Sequence, residues 1–558
     1  MKFLKKLLIV SLTVIAVSGC KKLDIAPTDR FSELNFWQVD ANVYNALYNN
    51  YSLIYNSGLY FNPEAVSDNA YSTSGDLNLI VSGNATALTG QFAGDWSFYY
   101  KTIRSCNDFL TNIDKNTTLP AATLSRLKAE TRFIRAFEHF NLSKWYGDVP
   151  IVDHNATVEE TQVIPRSPKA TVINFVLSEL EAAIPALPSK DAMPASENGR
   201  ITKGAALALE VRILLYQGNR MADVVTACEK LMNDQVTNGT YTLNATPAAA
   251  SVDNTASAKY TALFSDPATN KTNTETILSL QYVPTTTRTW QNFWDFAPKT
   301  VGGRVSSLAP TQELVDDYIM LNGKGIKEAG SGYNESTPYL NRDPRLTATV
   351  VYDGYNWTNG GGVNGSNKVI YIKPGSDPAK PGLDEYNPTS QSSSPTGYYW
   401  RKYFDPSAQI NFVSGLNLHL FRYAEVLLAY AEAKNSLGQM DAAIWTKTIG
   451  ALRSRAGFTD AAALSFPVGG DMTNIIRRER RAELAMEGLR TDDIRRWKTA
   501  EIVLNGYAHG AKFSADQNTD NGYIRTQLRK FNPVRDYLWA IPSNDIGKDK
   551  ALTQNPGY

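Results

Sequence analysis

The chain has 558 residues, and its 56 Lys+Arg and 55 Asp+Glu leave a formal net charge of +1, which argues against a nucleic-acid-binding protein that relies on whole-chain charge. Hydrophobic residues make up 43% and charged residues 20% of the sequence, values that exclude general disorder and a protein with many membrane spans. Three cysteines are too few for a disulfide framework, and Cys106 and Cys228 form either one bridge or two buried thiols.

The N-terminus has the pattern of a bacterial lipoprotein signal. Lysines within the first six positions precede an apolar run at 7–17, which is too short to cross a bilayer as a mature helix. Val17-Ser18-Gly19-Cys20 follows and is similar to a lipobox. We therefore predict that residues 1–19 are a signal peptide and that Cys20 is acylated, which anchors the mature chain to a membrane. The alternative is an ordinary secretory signal in which Cys20 is incidental.

Periodicity predicts helices through the first third of the chain. Breakers and capping residues set their limits, because Gly, Pro and N-capping side chains interrupt or begin helices. The predicted elements are a helix over 37–55, a loop over 56–94, a helix capped by Asp95 that ends near Ile113, and a helix that begins at Pro120 and ends at Gly147.

Helix pairs in two parts of the chain look like tetratricopeptide-type units. The first pair is predicted at 202–217 and 221–233, where small residues and the intervening Gly218 allow close helix packing. A second pair is predicted at 423–437 and 440–455. Further predicted helices cover 171–184 and 472–497.

The middle of the chain has a different composition. Residues 238–411 are rich in Gly, Asn, Thr, Pro and aromatic residues and contain short strand-like runs at 276–282 and 368–373. A segment this long and irregular is normally functional or disordered, and its aromatic residues argue against disorder. We predict a mainly α fold in which tetratricopeptide-like helical repeats form an α-solenoid scaffold, with a large loop-rich irregular insertion carrying short strands. The regions 20–237 and 238–558 are expected to form one compact unit.

Motifs that carry catalysis are missing from the sequence. There is no phosphate-binding loop, no GxSxG nucleophile elbow and no HExxH, and the four histidines are far apart. Glu479, Glu483 and Glu487 lie among arginines, which lower carboxyl pKa values and so disfavour a general acid. We predict a protein without catalytic activity, cofactor or metal. An exported glycoside hydrolase with dispersed acids is the less favoured alternative.

Several segments, in order along essentially the whole mature chain, resemble the SusD/RagB family of Bacteroidota lipoproteins. Besides the lipobox they are 129–137, Trp145-Tyr146-Gly147-Asp148-Val149-Pro150, 199–208, Asn341-Arg342-Asp343-Pro344-Arg345, Arg422-Tyr423-Ala424-Glu425, 477–490, 538–542 and Asn555-Pro556-Gly557-Tyr558. One such segment alone is a weak signal, whereas the ordered set is specific.

The resemblance implies a non-catalytic protein of the outer membrane, lipid-anchored and facing the cell surface. Such a protein binds oligosaccharide and acts as the lid of a SusC-like TonB-dependent transporter barrel, to which it passes its ligand for import. We expect no nucleic-acid partner. Some relatives handle peptide instead, so peptide cargo is the alternative.

Two loops have the composition of a sugar site, which combines aromatic faces with polar side chains on loops held by rigid elements. The candidate residues are Asp68, Asn69, Tyr71, Asp76 and Trp96 in the first loop, whose Ser-Asp-Asn run resembles a polar loop of the family's binding face, and Tyr282, Arg288, Trp290, Phe293 and Trp294 in the second. If the second loop is helical, Trp290 and Trp294 share a face and form a stacking platform. The alternatives are turn hydrogen bonds for Asp68 and Asn69 and core packing for the tryptophans.

Overall fold

The computed structural model describes residues 35–248, 256–284, 288–357, 368–379, 382–390, 393–408, 413–513 and 519–558. The predicted signal peptide and Cys20 lie outside these residues. Within them, helices of nine or more residues are α1 Asp40–Leu53, α2 Ser57–Ala65, α3 Gly90–Asn112, α4 Ala121–Tyr146, α5 Lys169–Ala183, α6 Lys203–Gln217, α7 Met221–Asn233, α8 Tyr423–Ser436 and α9 Met472–Leu484. No helix in these ranges has both the length and the apolar character needed to span a membrane.

Short strands and short helices occur in the rest of the described chain. The strands are β1 Ala70–Ser72, β2 Thr276–Leu280, β3 Leu308–Pro310, β4 Val350–Val351, β5 Tyr355–Trp357, β6 Lys368–Ile370, β7 Tyr399–Trp400, β8 Leu418–Arg422, β9 Gly506–Lys512, β10 Thr519–Asp520 and β11 Tyr523–Arg529. The shorter helices are Gly75–Val81, Gln235–Asn238, Ala258–Ser265, Pro267–Lys271, Gln312–Asp317, Pro344–Thr349, Ala442–Trp445, Ala451–Ala456, Ala461–Leu464, Arg490–Arg496, Ala500–Val503 and Ser543–Lys548. All paired strands are antiparallel.

The long helices form a continuous series. α1 packs against α3, and from α3 to α9 each helix packs against the next in chain order. α7 and α8 are neighbours in space although the irregular region, with most of the short strands, lies between them in the sequence. The predicted fold class, a tetratricopeptide-like scaffold with a large loop-rich insertion, is confirmed. One hydrophobic cluster draws residues from both 20–237 and 238–558, while the domain limits themselves stay a prediction.

Local capping explains why several helix limits agree with the sequence. The Thr202 side chain accepts a hydrogen bond from the Ala205 N–H at the start of α6, and Gly218 ends α6 in the left-handed region at φ 75°. Pro120 precedes α4, and Gly147, at φ 78°, follows it. The α6–α7 pair therefore forms as predicted from its small residues and glycine turn.

The predicted loop at 56–94 is wrong. It contains α2, β1, the helix Gly75–Val81 and the start of α3 at Gly90, so that Asp95 lies inside α3 rather than capping it. The side chain of Asn56 accepts a hydrogen bond from the Leu59 N–H and so begins α2. A polar residue of the kind that suggested a loop therefore caps a helix here.

The prediction of one continuous charged helix at 472–497 is also wrong. The segment forms two helices, α9 and Arg490–Arg496, with a turn between them. Met486 and Gly488 both have positive φ, at 64° and 74°. A Cβ on Gly488 would lie 2.6 Å from the backbone oxygen of Tyr60. Glycine is required there because α2 approaches this turn closely.

Buried ion pairs bring three of the recognised motifs together. Glu483 of α9 accepts from Arg422 at 2.6 Å and from Arg345 at 2.9 Å, and it also pairs with Arg455. Burial tends to raise the pKa of Glu483, but these arginines hold it well below its ordinary value. The acidic cluster is thus charge-compensated in the core, which is the role expected from its arginine neighbours.

The C-terminus returns to the first third of the scaffold. The indole of Trp539 stacks on that of Trp145 with ring centroids 4.1 Å apart, and its backbone N–H donates to the Trp145 carbonyl. The Asn555 amide donates to the carbonyls of Tyr146 and Trp539 at 2.9 and 2.7 Å. The terminal residues therefore fasten the end of α4.

Cys106 and Cys228 are both buried and unpaired. Burial raises the pKa of each thiol. The sequence left open a disulfide bridge or two buried thiols, and in the structure the two cysteines are buried thiols.

Candidate functional site

Asp68 and Asn69 are buried anchors of the first predicted loop. Arg490 contacts the Asp68 carboxylate through two N–O distances of 2.7 and 2.8 Å, and Arg481 lies 3.0 Å from the same group. Burial tends to raise the pKa of Asp68, but the two guanidinium groups hold it far below its ordinary value. Asn69 accepts from Arg481 and donates to Glu64, each at 2.8 Å. Both predicted ligand contacts instead fix the backbone of the loop.

This anchoring leaves Tyr71 and Asp76 at the surface. Tyr71 lies on β1, which pairs with β3 so that Ala70 and Ser72 are buried while the Tyr71 side chain is partly exposed. Partial burial raises the pKa of Tyr71. Asp76 is partly exposed at the start of the next short helix. Strand alternation thus turns the Tyr71 side chain away from the buried side chains of Ala70 and Ser72.

A hairpin of β9 and β11 packs beside this loop. Arg529 of β11 donates to the carbonyls of Ser67 and Ala70, and Gln527 donates to the Asn78 side chain at 2.9 Å. Arg525 and Tyr507, which project from the hairpin, lie 5.0 Å apart from guanidinium carbon to ring centroid. The hairpin and the first loop therefore form one continuous polar and aromatic face.

His509 connects the hairpin to two carboxylates. Its Nδ1 lies 2.7 Å from Glu313 Oε1, and its Nε2 lies 3.1 Å from Asp520 Oδ2. The hydrogen bond to Glu313, followed by that to Asp520, raises the pKa of His509 above its ordinary value in spite of partial burial. When it is protonated, the imidazole pairs with both carboxylates and so links the hairpin to the helix Gln312–Asp317.

A groove of about 800 Å³ begins at the end of β9 and is called here the hairpin groove. Its aromatic and polar lining includes Glu335, Tyr339, Tyr352, Asp353, Asn356, Lys373, Lys512 and Phe513. The rings of Tyr339 and Tyr352 stack at 3.9 Å with an interplanar angle of 17°, and Lys512 pairs with Glu335 at 2.9 Å. Flat rings beside exposed amide and charged groups suit a ligand that has both CH faces and hydroxyl groups.

The tryptophans of the second predicted loop are core residues. Trp290 is 3% and Trp294 0% exposed, and Phe293 is also buried. The backbone of Trp290 forms an isolated antiparallel β-bridge with Ser414, and its indole N–H donates to the Leu416 carbonyl at 2.8 Å. The segment after it is a short 3₁₀ turn, Asn292–Asp295, rather than an α-helix. The predicted stacking platform is absent because both rings point into the core.

The remaining predicted residues lie elsewhere. Tyr282 is buried, and Arg288 lies near it beside a separate cavity of about 400 Å³ that is also lined by Tyr48. Trp96 lines a third cavity, of about 480 Å³, on α3. Of the ten predicted ligand residues, Tyr71 lies partly exposed on the strand that follows the hairpin contacts, and Asp76 is partly exposed near the start of α3.

Sequence reasoning missed the hairpin and the groove. The strands 506–512 and 523–529 have irregular burial and pair with register shifts, so period-two alternation gave no clear signal for them. The groove has no local signal, because its lining comes from segments between 321 and 513 that meet only in the fold. In the described part of the chain, no group of three or more His, Cys, Asp or Glu residues is placed to hold a metal ion.

Comparison with known families gives two matches that together cover most of the chain. A model of the SusD family matches residues 264–558. A second model, described as starch-binding associating with outer membrane, matches residues 22–215.

Individual relatives match over nearly their whole length. SusD-like protein P2 of Formosa agariphila is 23% identical over 98% of both chains, and a SusD-like protein of Bacteroides ovatus is 23% identical over 99% of this chain and 97% of its own. Among solved structures, a SusD-like carbohydrate binding protein from Bacteroides fragilis has a TM-score of 0.81 and 28% identity, covering 93% of this chain and 100% of its own. A laminarin binding SusD-like protein has the same fold, with a TM-score of 0.62, 20% identity and coverage of 93% and 100%.

Proposed function

This chain belongs to the SusD family, and from that membership we propose that it is the ligand-binding lid of an outer-membrane nutrient importer. In this role it captures oligosaccharide and passes it to a SusC-like TonB-dependent barrel, without catalysing a reaction. The observation that carries the proposal is the family match combined with the hairpin groove, whose stacked tyrosines and exposed polar groups suit a sugar ligand. The carbohydrate-binding relative from Bacteroides fragilis supports the same ligand class.

We place the protein at the outer membrane, in line with the family description of the N-terminal match. The lipid on Cys20 and the orientation toward the cell surface belong to the proposal. Cys20→Ser is expected to remove acylation and to release the protein from the membrane fraction. Retention of the unlipidated variant in that fraction would contradict the anchor.

Binding is tested by calorimetry on the chain that begins at residue 21. The panel contains malto-, laminari-, xylo- and manno-oligosaccharides of defined length, together with peptides. At least one oligosaccharide is expected to bind, without release of shorter products. Binding of peptide alone would replace the proposed cargo, and steady release of products would replace the non-catalytic role.

The hairpin groove is tested in the same assay. Phe513→Ala and Asn356→Ala remove an aromatic and an amide group from its lining, and each is expected to weaken binding about tenfold, a loss of about 1.4 kcal/mol. Asn45→Ala, at an exposed position of α1, is the matched control and is expected to bind as the wild type does. Unchanged affinity in both groove variants would exclude this groove as the site.

A further inference from the structure

The cavity beside Trp96 is separate from the hairpin groove and shares no lining residue with it. Its volume of about 480 Å³ is within the range of small-molecule sites. It lies between α3, the segment 150–164 and the C-terminal helix Ser543–Lys548. Ile103, Val152 and Leu552 contribute to its apolar wall.

Two aromatic rings form a fixed corner of this cavity. The centroids of Trp96 and Tyr100 lie 4.9 Å apart at an interplanar angle of 56°. Trp96 packs edge-on against Tyr146, and the Tyr100 hydroxyl donates to the Pro150 carbonyl at 2.9 Å. These contacts hold both rings in place before a ligand arrives, so the corner is preorganised.

Charged groups of both signs line the same cavity. Asp545 is half-buried, and its carboxylate has no hydrogen-bond or ion-pair partner among the described residues. Burial raises the pKa of Asp545, although Lys548 lowers it. Lys101 and Arg104 are exposed on α3, and they too lack a carboxylate partner within the described ranges. The partly exposed Asp545 carboxylate can accept from water, and a ligand that supplies hydroxyl donors would replace that water with direct hydrogen bonds.

We propose that this cavity is a second saccharide-binding site, distinct from the hairpin groove. A sugar ring places a CH face against the partly exposed ring of Tyr100, which the buried Trp96 holds in place, while its hydroxyls donate to Asp545 and accept from Lys101 and Arg104. The cavity is lined by the basic groups of Lys101, Arg104 and Lys548 and by the carboxylates of Asp545 and Asp549. Neutral hydroxyl groups can donate to the carboxylates and accept from the basic groups, so a saccharide satisfies both signs. The inference rests on the proposed function, because both sites take saccharide.

The test blocks the cavity without touching its buried wall. Ser97 is exposed on α3 at the cavity, so Ser97→Trp is expected to occlude it. Ser178→Trp, on the exposed side of α5, is the matched control. Calorimetry with an oligosaccharide from the panel that binds the wild type is expected to give two sites per chain for the wild type and for Ser178→Trp, and one for Ser97→Trp.

Asp545→Asn tests the polar contact separately. The variant keeps the shape of the side chain and removes its charge, so affinity at the second site is expected to fall about tenfold, the loss of one charge-assisted hydrogen bond. Phe513→Ala is expected to leave this site intact while weakening the groove. Thermal unfolding checks that each variant is folded.

The outcomes separate the two proposals. If a saccharide binds the wild type but Ser97→Trp and Asp545→Asn leave its stoichiometry and affinity unchanged, the second site is overturned and the proposed function stands. If no saccharide of the panel binds the wild type, both are overturned.

Discussion

Arg490 and Asp68 form a two-point ion pair across 422 residues of sequence, with Nε–Oδ1 and Nη2–Oδ2 distances of 2.7 and 2.8 Å. The pair joins the first loop of the chain to the charged region after α9. The side chain of Asp68 is buried, and Arg481 also forms an ion pair with its carboxylate. The pair therefore positions the surface that includes Tyr71.

Removal of the Asp68 charge is expected to destabilise the protein. Asp68→Asn leaves the guanidinium group of Arg490 with a neutral partner in a buried site, whereas Arg481 keeps its ion pair with Asp317. We expect a loss of about 3–5 kcal/mol in the free energy of unfolding, measured by urea titration. The control Asp76→Asn, at a partly exposed residue, is expected to change it by less than about 0.5 kcal/mol. Equal stabilities of the two variants would show that the ion pair contributes nothing.

Trp290 is expected to contribute to stability rather than to ligand binding. Trp290→Ala removes a large side chain that is 3% exposed, and such a cavity costs about 3–5 kcal/mol. Urea titration measures that loss, and calorimetry below the unfolding transition is expected to give wild-type affinity. A variant of normal stability that no longer binds oligosaccharide would restore Trp290 as a ligand contact.

The hairpin is expected to loosen as pH rises. The folded-state pKa of His509 is raised above 6.5 by Glu313 and Asp520, so its stabilising effect is complete below pH 6.5 and is lost as pH rises through the folded-state pKa. The difference in urea midpoint between wild type and His509→Gln is therefore expected to be largest near pH about 5.5 and to shrink toward pH about 9. A difference that stays constant over this range would contradict the role of the charged imidazole.

Gly488 is expected to tolerate no side chain. Gly438→Ala, at φ 68° with open space around the new Cβ, isolates the cost of positive φ, about 1 kcal/mol in the free energy of unfolding. Gly488→Ala has a similar φ but also meets the Tyr60 backbone oxygen, so we expect a larger loss of about 2–5 kcal/mol. If urea titration gives equal losses for the two variants, α2 can move away from this turn at little cost.

Local sequence signals predicted the exact limits of some helices and failed for other segments. The helix Met221–Asn233 follows from its periodicity and the turn at Gly218. The segment 56–94 failed because Asn residues that are common in loops also cap helices, as Asn56 does. The break at Gly488 depends on the approach of α2, a tertiary contact that periodicity does not record.

The candidate site was harder to predict than the scaffold. Aromatic residues in an irregular segment can pack in the core or bind a ligand. Trp290 and Trp294 are buried in the core of the structure. Asp68 has the residue type of a ligand contact, but its arginine partners lie more than 400 residues away. Phe513 and Asn356 line one groove only because the fold brings distant segments together.

The stacked pair of Trp145 and Trp539, with the Asn555 hydrogen bonds beside it, makes the end of α4 depend on a segment far along the chain. Without residues 539–555, every long helix of the solenoid would be present, yet the end of α4 would lack its aromatic partner and the hydrogen bonds to the carbonyls of Trp145 and Tyr146. Truncation before Trp539 would therefore leave the packing of the first third incomplete. A tag fused directly after Tyr558 would lie beside this closure, because the Tyr558 hydroxyl donates to the Leu538 carbonyl next to Trp539.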